Sequence, residues 1–508
     1  MTAAAIALNR FGLGARPDEA APEDAKRYLL AQFYRYQANP QALAGAPRSG
    51  PVAADLAQYL AEARQLRRET GAPQRRQPAG AMMPGEAMAP AGDSMAAATD
   101  GPTMAAQDAA NANDPVAQAR RFARRQGRDF YQTAIGLRVN AALASPAPMV
   151  ERLVHFWANH FAISADKLTV IGLAGPFEFE AIRPHVLGKF RDMLHAVERH
   201  PAMLLYLDQA QSVGPNSMLG SRSGRSNPRN KAGLNENLAR EIMELHTLGV
   251  RTGYSQADVT EFARAMTGWT VQGLGRGVGA RLAGVAGEPG AFVFAERLHE
   301  PGARTIMGKS YAEGGVSQAA AVLDDLAVHP ATARHIATKL VRHFIADDPP
   351  PAAVARCEAA FLKSGGDLPT VYRALIDSPE AWAPAPAKFK TPWDWSISTM
   401  RAIGMAQIGA PQAFGLLQQL GQPTWRPGSP AGWDDVAASW AGPDALMRRV
   451  EAAERFATRA GTQIDARARA EQLFPGVLTP ATQAAIARAE SPGQGLALLL
   501  VAPEFMRR

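Results

Sequence analysis

At 508 residues, 47% apolar and 20% charged, the chain has material for one large globular domain or a few ordinary ones, and it is not an intrinsically disordered protein. Its formal charge of +7 is carried mostly by arginine, without a long basic run or interleaved aromatics, which argues against specific nucleic-acid binding. The single cysteine, Cys357, excludes an internal disulfide and any cysteine-based metal site.

No apolar run approaches the roughly 18 residues of a membrane span, so no transmembrane segment is expected. The opening residues lack a basic leader, which points to the cytoplasm. Helical patterns dominate, and the expected fold is mainly α: one large multi-helix domain with a small β-hairpin element and a disordered insertion. Residues 1–70 form its N-terminal helical part, with Gly12 and Gly14 breaking the first helix from the next. Residues 71–115 lose their large aliphatic side chains and read as a low-complexity, disordered insertion. Met82, Met83, Met88, Met95 and Met104 within it are soft donors of the kind that bind Cu(I), although a plain linker explains them more simply.

Residues 116–385 make up the helical core. At Met149–Phe161 the helical wheel places His160 with Leu153, Phe156 and Trp157 on an aromatic face, and His155 with Glu151 and Asn159 on another. Gly220–Gly233 is a basic loop able to close over an anion. It leads into Leu234–Val250, which reads as one amphipathic helix: Leu234, Leu238, Ile242, Leu245 and Leu248 share a sector, and Asn237, Glu241 and Glu244 run along its edge. Carboxylates at the border of a core need a partner or a metal. Arg240 can pair with Glu236 and Glu244 but leaves Glu241 unsatisfied, while His246 faces away.

Ser255 with Asp258 predicts a capping box, and Gly268 the end of that helix. The glycines of 271–290 lack the flanking strand and helix of a phosphate cradle, so this is a loop. Ala291–Phe294 and Arg304–Met307 predict a hairpin around His299. Helices resume over 317–382 and again from 393 within a C-terminal region, 386–508, whose 422–440 segment is an extended loop rich in Trp and Pro. Such a loop either binds ligand, with Trp433 as a contact, or anchors itself in the core. His185, His195, His200, His329, His335 and His343 read as surface or capping groups.

Several stretches together resemble a bacterial family catalogued as domain of unknown function 1800. They are Leu8–Gly14, Phe156–Phe161, His200–Asp208, Asn235–Gly249, Tyr254–Trp269, His299–Gly308, Gly432–Trp433 and Pro503–Arg508, nearly the whole chain apart from 71–115. The chain departs from the family pattern at Arg297-Leu298-His299, where Phe-Asp-His is usual, and at Arg304, where Lys is usual. The resemblance implies a neighbouring sulfatase-like protein (domain of unknown function 1501) as partner, and export alongside it through that partner's twin-arginine signal.

Two functional expectations follow. One is a metal-dependent hydrolase: His160, Glu241, Glu244 and His299 hold a divalent metal that activates water, with Glu241, Glu244 and His160 catalytic and Arg240, Asn237 and Trp433 meeting substrate. The alternative is a non-enzymatic binding or export-escort subunit of the sulfatase-like partner.

Overall fold

The computed structural model describes residues 1–70, 115–226, 233–274 and 287–508. The predicted 71–115 insertion with its methionines therefore lies outside the described residues, except for Pro115. So do residues 227–232 of the basic loop and 275–286 of the glycine-rich stretch.

Helices carry the fold, and proline starts many of them. Pro115, Pro148, Pro330, Pro351, Pro392, Pro443 and Pro492 each stand first in a helix. There the ring's fixed φ suits the turn, and its missing N–H would have had no partner anyway. One cluster of buried apolar side chains runs from Ile6 to Met506. The Pro148–His160 helix lies deep within it, with every residue but Asn159 buried. Trp157 donates its indole N–H to the Tyr372 hydroxyl at 2.7 Å, and Tyr372 in turn donates to the Val186 carbonyl at 3.0 Å.

Several charges inside this core are paired with opposite charges, as the cost of desolvating an ion favours, while the buried Arg10, Arg449 and Lys390 donate to uncharged acceptors. Arg183 grips Glu151 with both terminal nitrogens at 2.5 and 2.9 Å. Arg138 holds Glu178, and Asp394 receives Arg152 at 2.9 Å and Arg508 at 3.0 Å. Among the described residues, no helix is long and apolar enough to cross a membrane.

The capping box forms as predicted at Ser255 and Asp258, and Gly268 takes a positive φ just beyond the helix. The strands pair differently from expectation. Phe292–Phe294 does not meet Arg304–Ile306; it lies antiparallel to Trp269–Val271, with Phe294 opposite Trp269. Arg304–Ile306 instead pairs with Lys309–Tyr311 through a two-residue turn in which Met307 and Gly308 both have positive φ. That is the turn whose twist matches antiparallel strands, and methionine in its first position hides the usual Asn-Gly signal.

The polar helix also departs from the predicted regular α-helix. It runs as α-helix over Asn237–Glu241 and then as a π-helical turn over Ile242–His246. A π turn accommodates an extra residue, so side chains beyond it rotate relative to the α-helical wheel. His246, predicted to face away, is consequently turned inward and fully buried.

Candidate functional site

The structure separates the predicted site residues into three places. Asn237 is exposed, while Arg240, Glu241 and Glu244 are half-buried along the polar helix. Arg240 bridges Glu236 at 3.1 Å and Glu244 at 3.8 Å, the mundane pairing its position suggested. Burial pushes the Glu241 carboxyl up from its ordinary value, and neighbouring Glu244 adds to the effect.

His299 belongs elsewhere. Its Nδ1 donates to the Thr267 carbonyl at 2.9 Å, and the ring borders a cavity of about 210 Å³ shared with Ser217, Glu296 and Glu313. His160 is the third location. Its Nε2 donates to the His246 carbonyl at 3.1 Å, which leaves Nδ1 without a hydrogen and, among the described residues, without a partner. Burial, followed by the nearby Lys339 charge, holds the ring neutral, well below the ordinary histidine range.

The metal expectation does not fit this arrangement. Among the described residues, no three His, Cys, Asp or Glu side chains are grouped so as to hold an ion, and the quartet of His160, Glu241, Glu244 and His299 does not converge. His160 joins a histidine cluster instead: its ring centroid lies 6.3 Å from that of His246 and 6.0 Å from that of His335. His246 Nδ1 meets Glu198 at 2.7 Å, with both side chains fully buried. The aromatic face predicted for His160 is present, with Trp157 edge-on at 5.2 Å and Phe161 at 4.5 Å.

His160 also lines a cleft, a cavity of about 260 Å³. The Pro148–His160 helix supplies His155, Phe156, Asn159 and His160 to it, and the Pro330–Phe344 helix supplies Lys339, Arg342 and His343. Trp393 and Asp394 contribute from the Pro392–Ala402 helix, and residues 422–436 form a roof that includes Trp425, Trp433 and Asp435.

Asn159 fastens that roof by accepting from the Trp433 amide at 2.7 Å and donating to the Trp433 carbonyl at 2.8 Å. Gly432 permits this approach, because a Cβ there would lie 2.3 Å from the Asn159 carbonyl oxygen. Trp425 and Trp440 take the anchoring role open to the loop's tryptophans: both are buried, donating to Glu178 at 2.9 Å and to the Asp434 carbonyl at 2.8 Å. Trp433 lines the cleft as Trp425 does, but its indole N–H lacks a partner among the described residues.

The carboxylates bordering the cleft are largely committed. Asp394 is held between Arg152 and Arg508, and Asp435 takes His343 at 2.6 Å and Lys388 at 3.1 Å. Burial opposes ionisation of Asp435, yet His343 and Lys388 hold its carboxyl below the ordinary range. His155 is neutral through burial, assisted by the Arg138 charge, and its Nδ1 accepts the Trp393 indole N–H at 2.9 Å.

Lys339 and Arg342, by contrast, have no carboxylate partner among the described residues. Burial drives the Lys339 amine down to about 8, with Asp435 resisting and Arg342 assisting. The cleft therefore presents unpaired positive groups between aromatic walls.

His335 and His343, read from sequence as surface or capping groups, lie by the histidine cluster and in the cleft respectively, while His200 and His329 do cap helices. Lys339 and Arg342 escaped sequence reading, and His343 reads there only as a surface or capping group, although their i, i+3, i+4 spacing puts all three on one face. No curated protein and no solved structure matches the chain. A family model does, over residues 6–507, and on that near-complete match the chain belongs to the family described as "Protein of unknown function (DUF1800)".

Proposed function

We propose that the chain binds a small organic anion in the cleft between the Pro148–His160 and Pro330–Phe344 helices. One observation carries the reading: Lys339 and Arg342 both border an aromatic-walled cavity, and among the described residues neither has a carboxylate within ion-pair distance. A half-buried cation without an ion pair favours a counter-charge, and a ligand carboxylate or phosphate supplies it. Phe156, Trp393 and Trp433 offer apolar faces for the rest of the ligand. Calorimetric titration with carboxylates and phosphates, each beside a neutral amide or ester of the same shape, tests this. Saturable binding of the anions is expected, weakened about tenfold or more in Arg342→Ala. Equal binding of the neutral analogues would refute it.

A metal-dependent hydrolase would need three or more grouped donors, and among the described residues no such group of His, Cys, Asp or Glu is present. Stoichiometric metal in the purified protein, lost in His160→Ala, would restore that reading. Escort of a sulfatase-like partner rests on family resemblance alone. It predicts co-purification, and unchanged export of that partner in cells lacking this chain would sink it.

A further inference from the structure

Lys339, Arg342 and His343 face the cleft from one side of the Pro330–Phe344 helix, yet they are not equivalent. His343 is committed to Asp435. Arg342 gives its Nε to the Asp347 carbonyl at 3.3 Å. Lys339 makes no hydrogen bond or ion pair among the described residues, although it is only half-exposed.

Among the described residues, the other enclosed lysines are occupied. Lys388 pairs with Asp347 at 2.6 Å and Asp435 at 3.1 Å, while Lys390 donates to Ser398 at 3.1 Å and lies over the Phe505 ring. An amine left free in a cavity, one helical turn from a guanidinium whose terminal nitrogens make no hydrogen bond among the described residues, is placed to react rather than to support the fold.

We propose that Lys339 is an amine nucleophile that forms a Schiff base with a small oxo acid whose carboxylate rests on Arg342. The inference depends on the anion-binding reading above. The amine lone pair adds to the carbonyl carbon, a C–N bond forms and the C=O π pair moves to oxygen. The two amine hydrogens end on that oxygen, which leaves as water, so C=N replaces C=O and nothing is oxidised or reduced. Burial supplies the neutral amine: at about 8 in place of 10.5, about a tenth of Lys339 is unprotonated at neutral pH. Asp435 and Arg342 act on that proton in opposite directions, and His160 from the facing helix stays neutral.

The test is reductive trapping of the full chain with glyoxylate or pyruvate and cyanoborohydride, read by intact mass and peptide mapping. A single reduced adduct on Lys339 is expected, saturating with oxo acid and forming roughly tenfold or more faster than on exposed Lys26 and Lys309. Lys339→Arg removes it, and Arg342→Ala raises the oxo-acid concentration needed for half-labelling. Labelling of Lys339 no faster than of Lys26 and Lys309 overturns the proposal. If carboxylates still bind by calorimetry, only the Schiff base falls; if none binds, the cleft reading falls with it.

Discussion

Replacing Asn159 with alanine removes the two hydrogen bonds that tie the roof of the cleft to the central helix. The side chain accepts the Trp433 amide at 2.7 Å and donates to the Trp433 carbonyl at 2.8 Å, so both backbone groups lose their partner together. At about 1 kcal/mol net for each bond, Asn159→Ala should cost about 2 kcal/mol. The site is half-exposed, so water can recover part of the loss, and values much above 3 kcal/mol are not expected. Asn159→Asp keeps the acceptor and loses the donor, and should cost about half as much while placing a negative charge beside the anion site. Urea unfolding followed by tryptophan fluorescence measures the stability, and proteolysis of the native protein reports on the 428–434 segment. If Asn159→Ala were within 0.5 kcal/mol of wild type with unchanged proteolysis, that segment would be held by its apolar contacts and the latch would be irrelevant.

Gly432→Ala attacks the same latch from the other side. A φ of +84° and a Cβ 2.3 Å from a backbone oxygen predict a loss of about 1–3 kcal/mol and weaker anion binding, both readable in the same assays. His246→Ala leaves the buried Glu198 carboxyl without the imidazole it meets at 2.7 Å and should cost at least about 1–3 kcal/mol, against a smaller loss for Glu198→Gln, measured by denaturant midpoint. Glu151 is held far below the ordinary carboxylate range: burial opposes this, but the Arg183 pair outweighs it. Its contribution is thus fully present above about pH 4.5 and fades as acidity increases, so Glu151→Gln should flatten the pH dependence of stability below that point. An unchanged acid limb in Glu151→Gln would show the pair to be energetically silent.

Much of the architecture could be read from local rules because those rules act locally. The Ser255–Asp258 box, the aromatic face of His160 and the Arg240 bridges each depend on residues within one or two helical turns. The π turn at Ile242–His246 was not legible, since its side chains fit an α-helical pattern equally well until His246 must be placed. The Lys309–Tyr311 strand failed for a related reason: three residues, two of them polar, carry too little periodicity. The cleft was the least visible. Lys339, Trp393 and Trp433 come from segments far apart in sequence, and nothing near any of them announces the others. Trp433 was singled out for the right loop but grouped with Glu241 and Asn237, whose helix contributes no side chain to the cavity wall.

The π turn bears on which changes of length the protein can tolerate. Removing one residue from Ile242–Leu245 would let the segment relax into a regular α-helix while both flanks keep their present phase, because the π turn already absorbs that residue. His246 would still face Glu198, and the carbonyl that receives His160 would stay in place. Winding the same stretch as α-helix at its full length would instead turn everything after it by about 100° around the axis and take His246 away from Glu198. A one-residue deletion here is thus a change of length the buried cluster should survive.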